Sequence, residues 1–376
     1  MEKIGILGGT FNPVHLEHIN LAKKAVKALN LDKLIIMPTY LPPHKEIIPA
    51  PAQDRLNMLK LAFLDDDKIE VSDFEIEKQG KSYTYLTVEH FKEKLSAHLY
   101  FIVGGDMLTD FKTWRNPDRI LKACDLCVFG RDDFFTDYQA EEEYFLKNFG
   151  KSFIKIGYDG KAFSSTKIRI YASLGLDISS LTCPRVANYI EEKGLYKGDF
   201  YTEFLKRVLT EKRRIHTAGV VDCAMRKVKE LKLDANKVLT TAMLHDCAKY
   251  LDPKDFKDFT IESDVPKPVV HAFLGAYVAQ KVLGIEDEEI LDAIRYHTSG
   301  KANMSTLAKL ILVADMVEEG RDYEGVEYLR DLYEKDFDFC FKECLREELI
   351  HLKNKGTPIY KETINTYNFY VNEGEK

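Results

Sequence analysis

The sequence predicts two domains of different class: an α/β domain with a parallel sheet over residues 1–197, followed by an all-α domain over 198–376. Three observations carry this. The 376 residues exceed what one hydrophobic core ordinarily serves. Up to residue 197, short aliphatic runs alternate with helical periodicity, the pattern of successive strand–helix–strand units. From Gly198 onward, long helical patterns follow one another with almost no strand signal and few glycines.

The first stretch, Ile4 to His18, reads as strand, glycine turn and helix. Ile4, Ile6 and Leu7 suit a buried parallel strand, and Gly8 and Gly9 let backbone approach a phosphate closely in the turn that Thr10 and Phe11 continue. His15 and His18, three apart at the helix start, can face the same phosphate. Residues 19–29 read as an amphipathic helix and 33–38 as a second buried strand. The proline loop behind that strand carries His44 and Lys45 at a carboxyl-terminal strand end, where open α/β sheets bind ligands, so both are expected to face substrate phosphate.

Residues 54–64 read as helix and 69–72 as a short strand. The central strand 99–103 ends in Gly104-Gly105-Asp106, and an acidic residue there can hold a ribose hydroxyl. Trp114 and Arg115 fall in a helix-like segment; by itself a lone tryptophan reads as core. Residues 124–129 and 152–156 supply further strands, with a helix over 138–149 between them. Cys124 and Cys127 form the one C-x-x-C, and read as a buried strand entry rather than a redox or metal pair. Ser164, Ser165 and Thr166 open a helix whose hydroxyls and free N–H groups form an anion site, to which Arg169 adds a charge-assisted contact one turn later. His90, His98 and His351 are read as structural, on amphipathic helices or exposed turns.

In the helical half, His216 lies in one helix, His245-Asp246 ends a second, and His271 lies in a third. His297 ends a fourth and Asp315 lies in a fifth. A solitary histidine on such a helix is ordinarily structural. The adjacent His-Asp is different: Asp246 can bridge two metals while His245 binds one, and a bundle brings distant imidazoles to a common site.

A net charge of −7 argues against wholesale binding of nucleic-acid backbone or anionic membrane and favours small phosphorylated ligands. No apolar run is long enough to cross a membrane, and Met1-Glu2-Lys3 leading into a strand is no signal peptide. Seven scattered cysteines suit a reducing compartment, so a cytoplasmic location is expected.

The pattern G-G-T-F-N-P-x-H-x-x-H over residues 8–18 resembles the nucleotidyltransferases with an H-x-G-H signature, above all the bacterial nicotinate mononucleotide adenylyltransferases. The loop with His44-Lys45, Ser82-Tyr83-Thr84, the Ser164 to Arg169 motif and the segment 183–196 extend the resemblance over the entire first half. It implies a Rossmann-like domain that joins nicotinate mononucleotide to ATP with magnesium. It also implies that Tyr83 and Thr84 serve the nicotinate carboxylate and that Trp114 stacks on the pyridine ring beside Arg115. His15 and His18 would act on the transferring and leaving phosphates, with Gly8, Gly9, Thr10, Phe11, Gly105, Asp106, Ser164, Ser165, Thr166, Lys45 and Arg169 around the nucleotide. One departure is Glu17, where the family usually has glycine; it is expected to turn away from the triphosphate.

The order H…HD…H…H…D, with Lys249, His297-Thr298 and Asp315-x-x-Glu318-x-x-Arg321, resembles the HD superfamily of metal-dependent phosphohydrolases, specifically the YqeK-type enzymes that split diadenosine tetraphosphate symmetrically. By that resemblance His216, His245, Asp246 and Asp315 hold one metal, and Asp246, His271 and His297 the other. Asp246 and Lys249 would be catalytic, and Lys249 and Arg321 would neutralise the polyphosphate. Nitrogen-rich ligation favours iron or manganese over magnesium. Two alternatives stand beside this reading: nicotinamide mononucleotide as the acceptor, and a helical half that is a non-catalytic nucleotide-sensing module. A homo-oligomer is compatible with either.

Overall fold

The structure is a computed structural model that describes residues 1–41, 50–130, 137–158, 160, 164–356 and 359–372, except the side chain of Asp106. The chain divides into two compact units: Met1–Arg169 with Ile178–Tyr196, and Ile170–Asp177 with Lys197–Lys376.

The first unit is built on six parallel strands: β1 (Glu2–Gly9), β2 (Lys33–Pro38), β3 (Ile69–Val71), β4 (Ala97–Gly104), β5 (Asp125–Gly130) and β6 (Ile154–Gly157), in the spatial order β3-β2-β1-β4-β5-β6. Ile4, Ile6, Leu34, Ile36, Leu99, Ile102, Leu126 and Val128 are buried, as strands covered by helices on both faces require. β1 pairs with β2 on one side and β4 on the other, with Leu7 opposite both Ile36 and Ile102. The strand order therefore reverses between β1 and β4, and a crevice opens beyond their carboxyl ends. Gly8-Gly9 and Gly104-Gly105 both end at that reversal, and helix α1 (Leu16–Ala28) starts from it.

Two local expectations are corrected. Trp114 and Arg115 lie in the turn between the short helices Leu108–Phe111 and Pro117–Ala123, because Pro117 opens a new helix rather than continuing the old one. His98 lies on β4, where its Nε2 is 2.6 Å from Asp125 Oδ2 on the neighbouring strand.

Among the described residues the second unit contains helices and no strand. Asp199, Thr210, Asp234, Asp287, Ser305 and Asp336 each accept a backbone N–H from the first turn of the helix they precede. Val220, Leu244, Leu274, Ile294, Leu310 and Phe341 meet in one core. Among the described residues no helix is long and apolar enough to cross a membrane.

Ile6 on β1 has no exposed surface, so Ile6→Ala should destabilise the first unit by about 2–5 kcal/mol. Trp114, the chain's one tryptophan, belongs to that unit, and its fluorescence in a denaturant series reads the loss. An unchanged midpoint would contradict the burial of β1.

Candidate active sites

At the reversal of strand order, the start of α1 is capped by its own histidines. His18 N donates to His15 Nδ1 at 3.3 Å and His15 N donates to His18 Nδ1 at 3.2 Å, a reciprocal capping box. Both Nδ1 atoms are acceptors, so each neutral ring carries its proton on Nε2. The rings stack with centroids 3.6 Å apart, and burial pushes His15 down to about 4; burial, then the charge of His15, pushes His18 well below its ordinary value. The pair is thus two parallel, uncharged N–H donors at a helix N-terminus.

The loop before them is shaped from inside. Phe11 is buried with a positive φ of 48°, its ring edge-on to His18, and a Cβ on Gly9 would lie 2.9 Å from that ring. Gly9 therefore makes room for Phe11 as well as for any ligand. Ser165 Oγ donates to Pro13 O at 2.9 Å, and Arg169 donates to Asn12 O at 2.8 Å and to Thr166 Oγ1 at 2.9 Å. Ser164 Oγ accepts from Lys167 N. These hydroxyls tie the loop to the helix Ser165–Ser173, and what they leave for an anion is the helix start itself and the edge of the Arg169 guanidinium.

On β4 and beyond, Gly105 sits where a Cβ would meet Tyr138 Oη at 2.7 Å and Gly130 Cα at 3.4 Å, so the Tyr138 phenol and the end of β5 pack against its backbone. Asp106 lies in the turn Gly105–Met107, with its side chain outside the described residues. His44 and Lys45 also lie outside them. Tyr83 caps the helix that Thr84 opens, and the Arg115 guanidinium lies 4.8 Å from the Tyr83 ring centroid. Trp114 is half-buried against Phe101 and Phe111, at the edge of the core rather than within it. Glu17 is half-buried and held, its Oε2 accepting from Tyr158 Oη at 2.7 Å just past β6.

The helical unit gathers its histidines around one carboxylate. Asp246 is 1% exposed, and its two oxygens face different partners. Oδ1 is 3.0 Å from His271 Nε2 and 3.5 Å from His297 Nε2, whereas Oδ2 is 3.7 Å from His245 Nε2 and 4.0 Å from His216 Nε2. Asp315 Oδ1 lies 3.0 Å from His216 Nε2 and is paired with Arg321. Lys249 Nζ is 3.0 Å from His271 Nε2.

The ring tautomers follow from the helix ends. His245 and His297 are C-cap residues, and each donates Nδ1–H to the carbonyl three residues back, Ala242 O and Ile294 O, at 2.7 Å. His216 Nδ1 lies 3.0 Å from Glu318 Oε1. With Nδ1 committed, the Nε2 atoms of all three are lone pairs in the neutral rings, the form in which a cation can be held. His216 and His245 then face each other at 3.4 Å, lone pair to lone pair, and Asp246 Oδ1 accepts no well-formed hydrogen bond among the described residues. Burial lowers His216, yet the carboxylates of Asp315 and Glu318 outweigh it and raise its pKa, while burial takes His245 down to about 3. Buried nitrogen and oxygen lone pairs converging without protons between them fit cations, and they form two groups, His216–His245–Asp246 and Asp246–His271–His297.

Two residues of these sites, Arg213 and Arg55, are not evident from motif alone, and a third, Glu318, stands in the motif without a role attached. Arg213 donates to Asp246 Oδ2 at 2.7 Å; it stands one turn before His216, a spacing that places both on one helix face. Glu318 touches His216 from beyond the end of its own helix. Arg55 is 1% exposed and donates to Thr10 O, Tyr40 O and Ala50 O at 2.8, 3.0 and 3.3 Å, joining the loops after β1 and β2; a charged residue inside an apolar helix face was the only signal.

Residues 6–170 match the Cytidylyltransferase-like family and residues 213–320 the HD domain family. A protein of Clostridium tetani named a probable nicotinate-nucleotide adenylyltransferase is 40% identical over 201 residues, 52% of this chain and 100% of its own. Proteins of Mycoplasma pneumoniae and Mycoplasma genitalium, each named a probable nicotinate-nucleotide adenylyltransferase/Ap4A hydrolase, are 29% and 30% identical. The first match covers 91% of this chain and 97% of that relative, the second 86% and 89%. Two family matches in tandem and end-to-end relatives of the same arrangement lead to one conclusion: the chain belongs to the nicotinate-nucleotide adenylyltransferase/Ap4A hydrolase family, a cytidylyltransferase-like unit followed by an HD unit.

Proposed function

We propose that the chain is a bifunctional enzyme. Residues 1–197 join nicotinate mononucleotide to ATP, giving nicotinate adenine dinucleotide and pyrophosphate, and residues 198–376 hydrolyse diadenosine tetraphosphate to two ADP. The observation that carries the pairing is the sharing of one buried carboxylate, Asp246, between two sets of imidazole lone pairs, in a chain whose other unit sets two neutral N–H donors at a strand-order reversal.

In the first reaction an oxygen of the acceptor's phosphate bonds to the α-phosphorus of ATP, which enters as its magnesium complex. The bond to the bridging oxygen breaks, and its electron pair leaves with pyrophosphate. The attacking phosphate is already anionic, so no proton need move. Catalysis is then positioning and electrostatics: Nε2–H of His15 and His18 donate to phosphate oxygens as charge develops, while Arg169, Lys45 and the start of the helix Ser165–Ser173 receive the rest of the triphosphate. Arg115 stacked on Tyr83 places a cation near the expected pyridine site, which favours a nicotinate carboxylate over a neutral amide.

In the second reaction water, giving up a proton, bonds to one of the two central phosphorus atoms; the bond from that phosphorus to the oxygen bridging it to the other central phosphorus breaks, the bridging oxygen leaves with one ADP, and the hydrated half is the second ADP. His216, His245, Asp246 and Asp315 would hold one ion and Asp246, His271 and His297 the other. Ions so held activate water and offset phosphate charge, and the nitrogen-rich donors favour iron or manganese. Lys249, Arg213 and Arg321 already surround these carboxylates and bring the positive charge that a tetraphosphate requires. We place both reactions in the cytoplasm, where the seven free cysteines stay reduced.

Both activities assayed on wild type, His18→Ala and Asp246→Ala test the assignment. His18→Ala should lower adenylyl transfer on the order of 100-fold and leave hydrolysis intact. Asp246→Ala should abolish hydrolysis, empty both ion sites, and leave transfer intact. Near-wild-type transfer by His18→Ala, or hydrolysis by Asp246→Ala, would sink the corresponding half.

The two active-site histidines also set a pH dependence. Folded, His15 stays neutral down to about pH 4, whereas unfolded it protonates near 6.5. The unfolded state therefore binds more protons as pH falls, so stability from this source is complete above pH 6.5 and declines below it. Denaturant midpoints followed by Trp114 should drop between pH 6.5 and about 4, and drop less in His15→Asn. A midpoint equally flat in both proteins would contradict the neutral pair.

A further inference from the structure

We infer that Glu318 is the positioning residue for the ion bound by His216, and that Gly219 exists to admit its carboxylate. This rests on the two-ion reading above and deepens it, since neither residue belongs to the ligand sets.

Glu318 is 3% exposed, an unusual place for a carboxylate, and both its oxygens are engaged. Oε1 lies 3.0 Å from His216 Nδ1 and Oε2 accepts from Gly320 N at 2.6 Å. The Nδ1 atoms of His245 and His297 use backbone carbonyls of their own helices from C-cap positions. His216 cannot: it sits early within the helix Glu211–Lys227, where the nearby carbonyls belong to the helix ladder. A side chain from elsewhere must fix its ring, and Glu318 does so from the far end of the helix Thr306–Val317.

The surroundings of Glu318 are built to that purpose. Gly219 lies one turn after His216 on the same helix face, and a Cβ there would stand 2.2 Å from Glu318 Oε2. Because the carboxylate is held at both oxygens, it has no free rotamer by which to step aside. Its loop is fixed in turn by Arg330, whose guanidinium donates to Val317 O, Glu318 O, Glu319 O and Arg321 O at 2.9, 2.8, 3.2 and 2.7 Å. One cation thus closes the end of the helix that carries Asp315 and aims Glu318 at the ring that Asp315 also faces. A carboxylate on Nδ1 holds the Nε2 lone pair toward the ion and raises the basicity of the ring.

The test is calorimetric titration of Mn²⁺ alone into the full-length, chelator-stripped chain, for wild type, Glu318→Ala, Glu318→Gln and Gly219→Ala, beside thermal unfolding in chelator. Wild type should take up two ions. Glu318→Ala should weaken one of them by about 10–100-fold and spare the other. Glu318→Gln, which keeps an acceptor but not the charge, should fall between. Gly219→Ala, which leaves the carboxylate in the chain but displaces it, should act in the same direction as Glu318→Ala. Variants that bind both ions as wild type does would overturn the inference, and so would equal loss of both ions with a lowered unfolding temperature in chelator, the sign of a merely structural role. Wild type that binds no manganese would overturn the two-ion reading itself, and this inference with it.

Discussion

Much of the helical unit depends on one unfavourable arrangement: a buried aspartate between imidazoles whose lone pairs point at it and at one another. Burying a polar group without a partner is costly, and burying several together is more so. Arg213 and Lys249 offset part of that cost at Asp246, and positive charge at the centre would offset more. Five separate helices or helix ends converge on that point, which makes an ion there a cross-link of the bundle as well as a reagent. Asp246, His245, His271, His297 and Glu318 are all buried, an unusual polarity for a core.

The first unit solves an opposite problem. Its expected ligands are anions, yet His15 and His18 are held uncharged by burial, and capping of α1 by each ring's Nδ1 leaves the proton on Nε2. The resulting donors are preorganised, as donors to an anion would need to be. Fixed positive charge comes instead from Arg169, which reaches the same loop through Asn12 O, and from the helix start that Ser164 caps. Arg55 braces that loop from beneath.

Strand positions and the ligand-bearing helices were legible in the sequence because each depends on local pattern: aliphatic runs for β1, β2, β4 and β5, and helical periodicity in the second unit. His245, Asp246, His271 and His297 were legible as a set because isolated histidines on helices have no common reason to recur. Legibility ended where a residue acts through space. The Glu17–Tyr158 bond spans 141 residues, and the His216–Glu318 contact spans 102. The hydroxyls of Ser165 and Thr166 read as ligand groups, but loop carbonyls and Arg169 claim them. Trp114 left both readings open and sits between them, packed on Phe101 and Phe111 and still half exposed.

The shared carboxylate is tested most directly by anomalous diffraction from crystals of the full-length chain grown with manganese. Two anomalous peaks are expected, one on each side of Asp246, the first contacting His216 and His245 and the second His271 and His297. A single peak, or two peaks neither of which contacts Asp246, would contradict a carboxylate shared between two ions.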